Sequence, residues 1–152
     1  MRKLNRYLVI FFMTVFLLAC AQQTEQFLCD KLATQVGAPE GNIIRAKGQP
    51  GFLVFGPYAK INTGIYRLVA KGELAGSSRP LGVMDVAAEK GQLILATKPI
   101  VAGQNKAGEI ASLAFEVTKP VTDVEFRIQI SAQTTGSFSG YELTKVAKLD
   151  DK

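Results

Sequence analysis

Between Val124 and Ile130, the apolar residues Val124, Phe126, Ile128 and Ile130 take alternate positions, and Glu125, Arg127 and Gln129 fall between them. Successive side chains of a strand point to opposite faces, so this period of two makes one face apolar and the other polar. A helix would scatter the same residues around its circumference. The segment therefore reads as a half-buried antiparallel strand, and its apolar face needs a second layer to cover it. Ile65 to Lys71 and Leu113 to Val117 alternate in the same way.

Further strands are predicted at Ile43–Arg45, Phe52–Phe55, Gly82–Ala87, Leu93–Thr97 and Tyr141–Ala147, with Gly, Pro, Asn or Ser clusters between most of them. About eight short strands at regular spacing predict an all-β fold, a jelly-roll-like antiparallel β-sandwich, rather than alternating helices and strands. Ahead of them, Thr24 is placed to cap a short N-terminal helix running to Val36, with Leu28, Leu32 and Val36 on one face and Gly37 ending it. Gly72–Pro80 and Ile100–Gly108 are expected to be the longer connections, where binding function commonly sits.

The chain holds no His, so the commonest general base and the commonest metal ligand are missing together. Gly136-Ser137-Phe138-Ser139-Gly140 has the outline of a nucleophile elbow, but Phe138 stands at its centre, and it is expected to be a loop between strands. Acidic residues are scattered over outward strand positions and turns, with no pair singled out for glycoside hydrolysis. No enzyme, cofactor or metal site is predicted. Lys and Arg recur singly between apolar residues, without the basic block that nucleic-acid binding requires.

Gly51-Phe52-Leu53-Val54-Phe55-Gly56-Pro57-Tyr58, followed by Ile61-Asn62-Thr63-Gly64-Ile65-Tyr66-Arg67, resembles the opening of the carbohydrate-binding-like β-sandwich modules attached to bacterial glycosyltransferases and methyltransferases. Val83-Met84-Asp85-Val86, Leu95–Ile100 and Val124-Glu125-Phe126-Arg127-Ile128 resemble later strands of that family, so the resemblance spans about Asn42 to Val146. It implies a glycan-binding sandwich with candidate ligand residues Tyr58, Tyr66, Asp85, Glu125 and Arg127. The residues themselves also allow a structural role: Tyr58 and Tyr66 as half-buried rings, Asp85 and Arg127 as a cross-strand ion pair. The absence of Trp removes one usual aromatic platform for sugars.

The N-terminus carries a separate message. Arg2, Lys3 and Arg6 precede an apolar run from Tyr7 to Leu18, the layout of a secretory signal. That run is shorter than the roughly 20 apolar residues of a spanning helix. Leu17-Leu18-Ala19-Cys20 resembles the lipobox of bacterial lipoproteins, in which the thiol of the Cys takes a diacylglycerol and becomes the new N-terminus. Each buried methylene of such an anchor adds about 0.8 kcal/mol of membrane affinity. An Asp after the Cys is the usual inner-membrane retention signal of such proteins, and Ala21 stands there, so the resemblance implies the outer membrane of the cell envelope. Cleavage would remove three of the 18 Lys and Arg residues and leave 15 against 13 acidic ones. Cys29 is then without an intramolecular partner and is expected to be a small apolar residue on a helix face, with a free thiol or an intermolecular disulfide as the alternatives.

The expected organisation is a signal peptide over residues 1–19, then a lipidated Cys20, tether and short helix over 20–41, then the sandwich over 42–152. Two functions follow: a lipid-anchored, non-catalytic module that binds a glycan, or an interaction lipoprotein that positions an envelope or secretion assembly. The first predicts a polar and aromatic cluster on one sheet face; the second predicts an apolar patch or an exposed edge strand.

Overall fold

The computed structural model describes residues 22–146, so Cys20 and the lipobox lie outside the described residues. Eleven strands run in chain order: β1 (Thr24–Phe27), β2 (Ala38–Glu40), β3 (Ile43–Lys47), β4 (Gly51–Val54), β5 (Pro57–Ile61), β6 (Gly64–Ala75), β7 (Gly82–Ala88), β8 (Leu93–Ile100), β9 (Glu109–Val117), β10 (Val121–Ile130) and β11 (Thr135–Val146). They form two antiparallel sheets. One has the order β2-β3-β11-β6-β9, with β1 also on β11; the other has β4-β10-β7-β8, with β5 also on β10. All eight strands expected from alternation and turn spacing are present, and the three additional ones are short.

The alternation of β10 places Val124, Phe126, Ile128 and Ile130 inside, buried against the other sheet. Phe126 sits at the centre of an aromatic series, edge-on to Phe27 at 5.3 Å and to Tyr141 at 5.6 Å, while Phe138 meets Tyr141 at 4.8 Å. Edge-to-face contacts of this kind add about 0.5–1.5 kcal/mol each beyond the area they bury. Leu53, Leu68, Met84 and Val86 fill the space around them.

Three expectations are corrected. The helix from Thr24 to Val36 does not form: Thr24–Phe27 pairs with Thr144–Tyr141 of β11, and only a single 3-10 turn, Cys29–Lys31, follows. Thr24 bonds the Thr144 hydroxyl at 2.9 Å instead of capping a helix, and Phe27 gains burial against Phe126. Leu28, assigned to the apolar helix face, is 56% exposed. Long-range pairing and burial here outweigh a local helical pattern that was short to begin with.

Gly136–Gly140 and Gly72–Ala75 are strand, not loop. A Cβ at Gly136 would collide with the Glu73 carbonyl, and one at Gly72 with that of Ser137, so these glycines allow β6 and β11 to approach closely. A register shift between Phe138 and Gly140 marks a bulge in the same ladder. The second expected connection, after Ile100, is a loop as far as Gly108.

Candidate functional site

The five-stranded sheet has an irregular edge. β10 pairs with β4 at Ile128–Ile130 and with β5 at Val121–Glu125, so its partner changes between them. Gly56-Pro57 makes that change: Pro57 has no N–H to offer the ladder, and the Gly56 carbonyl accepts a 2.6 Å bond from the Phe126 amide. Segment 33–36 braces the edge from outside. Ala33 and Phe55 exchange two backbone bonds of 2.9 Å, and the Gln35 side-chain oxygen accepts from the Phe52 amide at 3.1 Å.

This break opens a surface cleft of about 270 Å³ lined by Gln35, Phe52, Phe55, Tyr58, Glu125 and Arg127. Phe52 and Phe55 meet edge to face at 6.1 Å. Tyr58 has a φ of 65°, in the left-handed region that residues other than glycine seldom occupy, and it is 54% exposed. Its ring is available to a ligand.

Arg127 and Asp85 face each other across the β10–β7 ladder. Arg127 Nε donates to Asp85 Oδ1 at 2.7 Å and Nη2 to Oδ2 at 2.8 Å, with both side chains only 17–20% exposed. The guanidinium carbon lies 5.5 Å from the centre of the Phe52 ring, a cation–π contact. The hydrogen-bonded Asp85 carboxylate holds the Arg127 pKa above its already high value against the opposing effect of burial. Asp85 thus orients Arg127, and Arg127 in turn backs Phe52. Glu125 lies two residues before Arg127 on the same polar face; its carboxylate adds to the field that holds Arg127 charged but enters no hydrogen bond or ion pair among the described residues.

Tyr58, Asp85, Glu125 and Arg127 are therefore brought together, and Tyr66 is not. Tyr66 lies in β6 of the other sheet, 8% exposed, stacked on Phe115 at 5.5 Å, and its hydroxyl donates to the Asn62 carbonyl at 2.9 Å. Burial raises its pKa. Phe52, Phe55 and Gln35 belong to the cleft without having been singled out in the sequence. The sequence signal for the two phenylalanines is the unbroken apolar run Phe52–Phe55 next to Gly56-Pro57: a continuous run in a half-buried sheet must turn some apolar side chains outward. Gln35 carries no such signal.

Two other hollows among the described residues lack this combination. The loop after Ile100 walls one of about 240 Å³ with Glu73, Asn105, Lys106 and Glu109 but no aromatic ring. A larger one, about 410 Å³, is lined by Leu28, Leu32, Pro39, Ile43 and Ile44 among others, again without an aromatic ring. Cys29 borders it as a free thiol that donates to the Phe138 carbonyl at 3.6 Å, its pKa raised by burial. Among the described residues no group of three His, Cys, Asp or Glu is placed to hold a metal, and no helix is long and apolar enough to cross a membrane.

No protein-family model matches the chain, nor does any curated protein. Solved structures do. The C-terminal CBM6 module of LamC, a marine laminarinase from Zobellia galactanivorans, superposes with a TM-score of 0.54 over 81% of this chain and 100% of that one, at 12% identity. A carbohydrate-binding module, CBM6cm-2 of Cellvibrio mixtus lichenase 5A in complex with cellotriose, gives 0.41 over 82% and 87%, at 14% identity. The likeness to the first establishes a shared β-sandwich fold.

Proposed function

We propose that this protein is a lipid-anchored lipoprotein of the cell envelope whose β-sandwich binds a glycan without catalysing a reaction on it. One observation carries the reading: the strand break at Gly56-Pro57 gathers Phe52, Phe55 and Tyr58 beside Glu125, Arg127 and Gln35 in one open cleft. Sugars present apolar C–H faces and a rim of hydroxyls, and aromatic rings with a few placed polar groups match both. Gln35 retains its amide nitrogen as a donor, Glu125 its oxygens as acceptors, and Tyr58 its hydroxyl as either. The fold supports the reading, since it is shared with a module named as carbohydrate-binding.

A glycan array probed with the protein tests the binding, with Tyr58→Ala as the control. Truncating an exposed anchor ring should weaken binding by about tenfold or more. If the protein binds no glycan and crosslinking instead recovers one defined envelope protein, it acts as an interaction lipoprotein.

The anchor is proposed on Arg2, Lys3, Arg6 and Leu17–Cys20, and the outer membrane on Ala21. Cys20→Ser should release the protein from the detergent phase, and Ala21→Asp should retain it in the inner membrane. Wild-type protein without a lipid mass increment would remove this part of the reading.

A further inference from the structure

We infer that the cleft selects glycans carrying a positive charge, namely sugars with a free ammonium group, through the carboxylate of Glu125. This inference rests on the glycan-binding reading and narrows its ligand class.

The argument is one of charge left over. Among the described residues only two charged side chains line the cleft, Glu125 and Arg127. Arg127 is already matched: its Nε and Nη2 meet the two oxygens of Asp85 at 2.7 and 2.8 Å, and its plane backs onto Phe52 at 5.5 Å. A bidentate pair in this geometry presents a near-neutral unit to its surroundings. Glu125 has no such partner among the described residues, although it is half-buried and shares the polar face. Arg127 feels Glu125 as well as Asp85, but two carboxylates against one guanidinium leave one negative charge in excess at the cleft.

The rings add to it. Aromatic faces carry negative quadrupole density and attract cations. Phe52 already serves Arg127, which leaves Phe55 and Tyr58 free for the ligand. An ammonium group on a sugar would meet a carboxylate and two π faces and form a charge-assisted hydrogen bond to Glu125. A uronate or sulfate at the same point would meet like charge. A neutral sugar would gain only the stacking and the ordinary hydrogen bonds.

The test titrates the intact protein in detergent with four oligosaccharides of equal length: glucosamine, N-acetylglucosamine, glucose and galacturonate. Wild type should bind the glucosamine oligomer about tenfold more tightly than its acetylated counterpart and bind galacturonate least, as expected for one charge-assisted contact. Raising the salt should narrow the gap. Glu125→Gln should bring the glucosamine and acetylated oligomers within about twofold of each other while leaving the thermal midpoint unchanged, because an exposed-face carboxamide keeps the shape. Equal affinities in wild type, or tightest binding of galacturonate, would overturn the inference and leave glycan binding standing. A protein that binds none of the four would instead overturn the glycan-binding reading, and the inference with it.

Discussion

Tyr58 and Tyr66 are eight residues apart in the chain and share a motif, yet they end in opposite conditions. Tyr66 is fully engaged: Phe115 stacks on one face, Lys145 Nζ lies 5.7 Å from the ring centre, and the hydroxyl is bonded to Asn62. Even Lys145 is occupied, donating to the Thr63 carbonyl at 2.8 Å. Tyr58 is more than half exposed at a strand break, and its neighbours Glu125 and Gln35 keep free hydrogen-bonding capacity. A hollow of about 230 Å³ adjoins Tyr66 as well, lined by Glu25, Lys60 and Lys145 among others, so neither residue type nor volume separates the two regions. What separates them is the ring itself: Tyr66 is buried with its hydroxyl already bonded, whereas Tyr58 is exposed and its hydroxyl has no partner among the described residues.

The largest expected effect tests the engaged side. Tyr66→Ala should cost about 3–5 kcal/mol of folding stability in urea denaturation, the usual range for removing a large buried aromatic side chain. Tyr58→Ala should change stability by less than about 0.5 kcal/mol. Similar losses for both would erase the contrast.

Next comes the link between the two roles. Asp85→Ala leaves the half-buried Arg127 without its partner and should destabilise by about 1–3 kcal/mol. It should also weaken ligand binding, because Arg127 would no longer be held against Phe52. A stability loss with unchanged binding would show that the cleft does not depend on the pair.

The smallest effect concerns the buried hydroxyls. Burial raises the pKa of Tyr66 and raises that of Tyr141 further. In the unfolded chain both phenols ionise near the ordinary value of about 10, while the folded protein keeps their protons to higher pH. Between those values the unfolded state binds fewer protons. The stabilisation is thus complete below about pH 10 and is lost as pH rises through the folded values. Among the described residues Tyr141 also leaves its hydroxyl without a hydrogen-bond partner in the core. Tyr141→Phe should therefore be neutral or stabilising near pH 7 and should flatten the alkaline decline, leaving the part that belongs to Tyr66. Urea midpoints from about pH 8 to about pH 11 would measure both slopes.

The legible parts of this fold are those that local pattern controls. β10 is read directly from its alternation, and so are β6 and β9. The illegible parts depend on partners distant in sequence. Thr24–Phe27 is a strand because β11 is there to receive it, and Gly136–Gly140 stays in a strand because β6 must pass close by. The site follows the same division. Glu125 and Arg127 are visible as polar positions on an alternating strand, and the Asp85–Arg127 pair follows once β7 and β10 are taken as neighbours. Phe55 and Gln35 enter the cleft through the Ala33–Phe55 bridge, a contact between two irregular segments that no periodicity announces. Tyr66 was indistinguishable from Tyr58 because exposure depends on Phe115, which arrives from another strand.

The measurement closest to the central claim is a calorimetric titration of wild type, Tyr58→Ala and Tyr66→Phe with the glycan that binds best on the array. The account predicts that Tyr58→Ala loses binding by about tenfold or more at an unchanged thermal midpoint, while Tyr66→Phe keeps its affinity because that ring never meets the ligand. Undiminished binding by Tyr58→Ala together with loss in Tyr66→Phe would place the ligand in the other sheet and contradict the account.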